Sequence, residues 1–172
     1  MSEHRIQFVH GEILEYHAPF LISSGNPYLN MSGGVNGALM MKYGESLQTE
    51  LHEHLKSLGK HSVEAPFSYR FRQSIGCYKG VTYSVAIDVW YECEAQTVAE
   101  VLIQSLELLN PGQDETVVFP ALGTGYGKLS KLAFGCMLRE FKSRFSPYKL
   151  VLVERDEHKL KELLSGYSSP EQ

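Results

Sequence analysis

Two apolar runs constrain this chain more than any other feature. Phe20-Leu21-Ile22, inside a β-type stretch from Ala18 to Ser23, is continuously apolar, and Thr116 to Leu122 is strongly hydrophobic. Such runs fit strands buried on both faces, whereas a strand with one wet face alternates. Each run enters a glycine-rich loop, residues 24–36 and 122–130, and each loop enters a helical pattern. Strand, loop and helix in repeated alternation belong to a parallel sheet covered by helices on both sides.

The remaining segments fit the same plan. Ile6 to His10 reads as a first strand ending at Gly11. A helix is expected from Val35 through Ala38, Leu39 and Met41, broken at Gly44 and resumed through Leu47, Leu51, Leu55 and Leu58 to a stop at Gly59. Residues 60–70 read as irregular. Gln73 to Cys77 and Thr82 to Tyr91 read as two strands joined at Lys79-Gly80. Thr97 is expected to cap a helix striped by Val98, Val101, Leu102, Ser105, Leu106 and Leu109, which Asn110-Pro111-Gly112 ends. Ser130 is expected to cap the next helix, through Ala133, Met137 and Phe141. Tyr148 to Val153 is the last strand and Asp156 to Leu164 the last helix. The expected fold class is α/β, a three-layer sandwich with a largely parallel sheet. The whole chain, 1–172, reads as one domain with no internal repeat, and residues 168–172 as a small polar tail.

Charge and cysteine usage exclude several function classes. The net charge is −4 and no Lys/Arg cluster occurs, so a face that tracks a polynucleotide backbone is not expected. Three scattered cysteines, Cys77, Cys93 and Cys136, form no C-x-x-C pair and fit a reducing compartment. No apolar run is long enough to cross a membrane, and no secretory leader is evident at the N-terminus. A cytoplasmic monomer is the expectation. No metal or cofactor is expected: His52 and His54, flanking Glu53, point to different helix faces and are poor co-ligands.

The two loops carry the functional signal. Glycine lets backbone N–H groups approach an anion closely, and a following helix N-terminus favours negative charge. Neither loop contains G-x-x-x-x-G-K-[ST], and neither matches G-x-G-x-x-G. Either alone also reads as a tight strand-to-helix turn. Two on one sheet edge point to a phosphate-binding cleft, because ligands in such folds sit outside the carboxyl ends of the strands.

The segment Ile22-Ser-Ser-Gly-Asn-Pro-Tyr-Leu-Asn-Met-Ser-Gly-Gly-Val-Asn-Gly-Ala-Leu39 resembles the first signature of macrodomains, roughly N-A-A-N, a short spacer and G-G-G-V-D-G-A/C-I. Val9-His10-Gly11-Glu12-Ile13 resembles their V-x-G-D-I. Phe119-Pro-Ala-Leu-Gly-Thr-Gly-Tyr-Gly-Lys-Leu-Ser130 is similar to their F-P-A-L-G-T-G-x-G-G-L. The resemblance covers residues 5–165. It implies an α/β/α sandwich with a central mixed, largely parallel sheet of about six strands. It also implies a cleft for ADP-ribose, free or attached to a protein.

Residue by residue, the resemblance implies that Glu12, with Ile13 beside it, stands where an Asp accepts a hydrogen bond from the adenine amino group. Asn26 stands where an Asn reaches the distal ribose, though an Asn-Pro pair also starts turns. Ser23 replaces an Asn that supports the loop. Gly33, Gly34 and Val35 face the distal ribose and phosphates. Gly123, Thr124, Gly125, Tyr126 and Gly127 form the diphosphate loop, with Tyr126 as an aromatic lid and Lys128 in place of a glycine. Arg155 offers a planar cation to stack on adenine. Asn26 and Asn36 are the candidate catalytic residues. Asn36 replaces the Asp of the hydrolytic branch and cannot take up a proton. Three functions stay open: a binding module for ADP-ribose, a hydrolase of ADP-ribosyl groups, O-acetyl-ADP-ribose or ADP-ribose 1″-phosphate, and an interaction scaffold without that ligand.

Overall fold

A computed structural model describes residues 4–125 and 127–169. Six strands form one sheet: β1 (Gln7–His10), β2 (Phe20–Gly25), β3 (Phe67–Arg70), β4 (Gly80–Val85), β5 (Val117–Phe119) and β6 (Leu150–Glu154). Their spatial order is β1-β6-β5-β2-β4-β3. Every neighbouring pair is parallel except β3 with β4, at the edge. The helices are α1 (Gly34–Tyr43), α2 (Ser46–Ser57), α3 (Ala95–Leu109), α4 (Lys131–Glu140), α5 (Lys142–Phe145) and α6 (Glu157–Ser168).

The continuous apolar runs are explained by two cores. Phe20, Ile22, Val117 and Phe119 enter one, under α3, α4 and α6. Leu21 and Val118 point the other way, into a core closed by α1 and α2. Successive strand residues face opposite sides, and here both sides are covered.

Four expectations need correction. Residues 73–77 are not a strand: Ile75 and Tyr78 only close a tight turn around Gly76, at φ 56°. The partner of β4 is β3, in the segment expected to be irregular. Its four half-buried residues gain strand geometry only by pairing with Ser84 and its neighbours. β4 stops at Val85 instead of Tyr91, because the Asp88 carboxylate accepts from the N–H groups of Trp90 (2.8 Å) and Glu92 (2.9 Å) and turns the chain. Thr97 lies inside the first turn of α3, whose cap position is Glu94. Ser130 does cap α4, accepting from the Ala133 N–H, and Asp156 caps α6 through the N–H groups of His158 and Lys159.

Candidate ligand-binding site

Because β1, β6, β5, β2 and β4 run the same way, their carboxyl ends open on one edge. The segments that follow them wall a cleft of about 1020 Å³. Glu12 and Ile13 come from the turn after β1, and Ser24 to Tyr28, Asn30 and Ser32 to Asn36 from the first glycine-rich loop. Gly123, Gly125 and Gly127 come from the second loop, and Val153 to Arg155 from the end of β6. Of the residues expected in the site, Glu12, Ile13, Asn26, Gly33, Gly34, Val35, Asn36, Gly123, Gly125 and Gly127 line this one cleft. Tyr126 lies outside the described residues.

The glycines divide into two kinds. A Cβ on Gly127 would overlap the Gly123 carbonyl, and one on Gly123 would lie 2.5 Å from the Cys93 Sγ. These two are required by packing. Gly34 and Gly125 would meet nothing within 4 Å, so their backbone faces open space. Gly34 also sits at φ 54°, where a side chain is strained. The Cys93 thiol is pushed up to about 11, first by burial and then by Asp88 and Glu94, so it is neutral at physiological pH.

Asn26 serves its own loop. Its Oδ1 accepts from the N–H of Tyr28 (3.0 Å) and of Asn30 (3.4 Å), and its Nδ2 donates to the Asn30 carbonyl (3.0 Å). The turn-forming reading of Asn-Pro is therefore the observed geometry, and it uses one of the two amide N–H groups of Asn26. Tyr83 anchors this loop from below. Its hydroxyl accepts from the Asn26 N–H (2.9 Å) and donates to the Asn30 carbonyl (2.9 Å), and a Cβ on Gly25 would overlap its ring. Burial pushes the Tyr83 hydroxyl well above the ordinary phenol range. Tyr83→Phe removes the acceptor of the Asn26 N–H. It is expected to lower stability by ~1–3 kcal/mol in urea unfolding, with the sheet itself intact.

Asn36 is only 2% exposed. Its amide nitrogen donates to the Ser24 carbonyl, clipping the third residue of α1 to β2, while its Oδ1 is buried with no partner. A carboxylate here would oppose a carbonyl oxygen, so this geometry accepts Asn and rejects ionised Asp. Ser23, fully buried, ties β2 to β4 by donating to the Thr82 carbonyl at 2.8 Å. Thr124 does not line the cleft. Its N–H (3.3 Å) and its hydroxyl (2.6 Å) both donate to the Ala121 carbonyl. Lys128 is committed to Glu92 at 2.5 Å. Arg155 lines the cleft near Glu12 and is exposed.

Sequence reasoning missed Lys131 and Glu154. Both line the cleft, with side chains only 13% and 15% exposed, and Nζ lies 4.0 Å from Oε1. The Lys131 ammonium donates to the Thr124 hydroxyl. Burial pulls its proton affinity down, against the pull of Glu154. One signal was readable: a lysine directly after the Ser130 cap opposes the helix dipole, so helix stability does not explain it.

The family model of the macro domain matches residues 22–133, more than half of the chain and both glycine-rich loops. The chain belongs to the macro domain family. This macro domain is 27% identical over 163 residues to the O-acetyl-ADP-ribose deacetylase of Citrobacter rodentium, covering 89% of each chain. It is 28% identical over 151 residues to the O-acetyl-ADP-ribose deacetylase of Klebsiella pneumoniae, covering 83% of each. Its fold matches the Oceanobacillus iheyensis macrodomain with ADP at a TM-score of 0.80 and 17% identity, over 96% of this chain and 93% of that one. The Trypanosoma brucei macrodomain in complex with ADP-ribose matches at a TM-score of 0.71 and 14% identity, over 92% of this chain and 67% of that one. Among the described residues, no helix is long and apolar enough to cross a membrane.

Proposed function

We propose that this macro domain binds ADP-ribose, free or as the ADP-ribosyl group of a modified protein. The observation that carries the reading is the convergence of the two glycine-rich loops on one cleft, with the backbones of Gly34 and Gly125 open and Glu12 in its lining. In this reading Glu12 and Ile13 meet the adenine, Gly33, Gly34 and Val35 the distal ribose and phosphates, and the Gly123–Gly127 loop the diphosphate. Asn26 reaches the ribose with the amide N–H its loop leaves over, and Thr124 acts from behind. No metal or cofactor enters. The three free thiols fit a reducing cytoplasm, and the protein acts as a monomer with no nucleic-acid partner.

Calorimetric titration with ADP-ribose, with adenosine and NAD as controls, tests the reading. Micromolar binding by ADP-ribose is expected. No heat and no thermal shift at millimolar ADP-ribose would refute it.

A second reading, cleavage of O-acetyl-ADP-ribose, is favoured by the similarity to deacetylases over most of both chains. Asn36 cannot be its general base, since an amide takes up no proton near neutral pH and its nitrogen is already bonded to Ser24. Release of acetate from O-acetyl-ADP-ribose decides this point.

A further inference from the structure

We propose that Lys131 is a phosphate-recognising residue of this cleft, a cation held by Thr124 and Glu154 that exchanges the Glu154 carboxylate for a phosphate oxygen of the ligand. The inference deepens the ADP-ribose reading and rests on it.

The dyad is poorly matched for a purely structural ion pair. Its Nζ–Oε1 distance, 4.0 Å, is the outer limit of such a contact, although both side chains are largely buried. The nearest partner of the ammonium is a neutral oxygen, the Thr124 hydroxyl. That hydroxyl spends its proton on the Ala121 carbonyl, so a lone pair is aimed at Lys131. Thr124 thereby fixes where the ammonium points without neutralising it. The helix dipole of α4 opposes a cation at its first residue, and burial opposes it again. Asp156, Lys159 and Glu162 contribute only longer-range fields of both signs.

Such an under-compensated ammonium lines the same cleft as the open backbone of Gly125. Main-chain N–H groups recognise the shape of a diphosphate. Lys131 adds the formal positive charge the loop lacks, as a point charge on a flexible stem. Glu154 then acts as an internal competitor of the phosphate.

This makes two variants move affinity in opposite directions. Lys131→Met is expected to weaken ADP-ribose binding by roughly tenfold or more, the scale of a charged hydrogen bond. Adenosine, which has no phosphate, binds both proteins alike. Glu154→Gln removes the competitor and is expected to tighten ADP-ribose a few-fold. Melting temperatures monitor the fold in each case. ADP-ribose affinity within about twofold of wild type in Lys131→Met, or equal weakening in both variants together with lowered melting temperatures, would show a structural clip and overturn the proposal. Absence of ADP-ribose binding in the wild type would overturn the functional reading instead. Pyrophosphate, titrated in parallel, then decides for Lys131: binding lost in Lys131→Met upholds it, and no binding or equal binding rejects it.

Discussion

Gly125→Glu is expected to weaken ADP-ribose binding by roughly a hundredfold or more while leaving the melting temperature within a degree or two of wild type. A Cβ at this position meets nothing within 4 Å, and Gly125 is not among the glycines at positive φ. The new side chain is therefore accommodated without distorting the loop. It enters the cleft as a carboxylate where the proposed ligand brings two phosphates, and like charges brought together cost several kcal/mol, which is a hundredfold or more in affinity. Calorimetry reads the affinity and a thermal melt reads the fold. The same substitution at Gly127 would lose both, because its Cβ position is already taken by the Gly123 carbonyl. Retained micromolar binding in Gly125→Glu would mean that the diphosphate does not lie on this loop.

The largest stability effect is expected far from the cleft, at Gly135→Val or Gly166→Val. Gly135 of α4 and Gly166 of α6 lie at a helix crossing where backbone meets backbone. A Cβ on Gly135 would overlap the Leu163 carbonyl and lie 2.9 Å from the Tyr167 nitrogen. One on Gly166 would overlap the Leu132 carbonyl and lie 2.9 Å from the Cys136 nitrogen. No side chain can move aside to make room, so the helices must separate and open the core around Phe134, Met137 and Leu163. Either substitution is expected to cost ~3 kcal/mol or more. For a domain of this size that lowers the melting temperature by roughly 6–12 °C. The double variant is expected to lose less than the sum, since one separation relieves both clashes. Additive losses in denaturant titrations would show that the two glycines pack independently.

This crossing also explains why α6 runs to Ser168, past the expected end at Leu164. Gly166 is unfavourable for an isolated helix by up to ~1 kcal/mol, yet here it is the residue that lets α4 approach. The Arg139 guanidinium fastens the same end, donating to the Gly166 carbonyl at 3.1 Å and to the Ser169 carbonyl. Propensity reads residues one at a time and assigns Gly166 to a helix end. Packing assigns it to a contact surface.

The residues of the cleft separate along the same line. That both glycine-rich loops would follow buried strands and open on one sheet edge was legible in order and composition. Which atoms of each loop remain available was not. Asn26 uses its side chain on Tyr28 and Asn30, Asn36 on Ser24, and Thr124 on Ala121 and Lys131. In each case a polar side chain placed near a ligand by motif is partly or wholly consumed by the backbone that shapes the site.

By itself, then, the sequence determined the α/β class, the parallel sheet, the two loops and the cap at Ser130. These follow from apolar runs, helical periodicity and cap residues within a few positions of each other, and such signals are local. Only the tertiary structure decided that Phe67–Arg70, and not residues 73–77, pairs with β4, and that Lys131 meets Glu154 across 23 positions of chain (154 − 131). It also decided that Gly125 is open while Gly123 and Gly127 are enclosed. Those outcomes depend on which distant segment occupies the neighbouring volume, and a hydrogen bond or a clash exists only once both partners have been brought there by the fold.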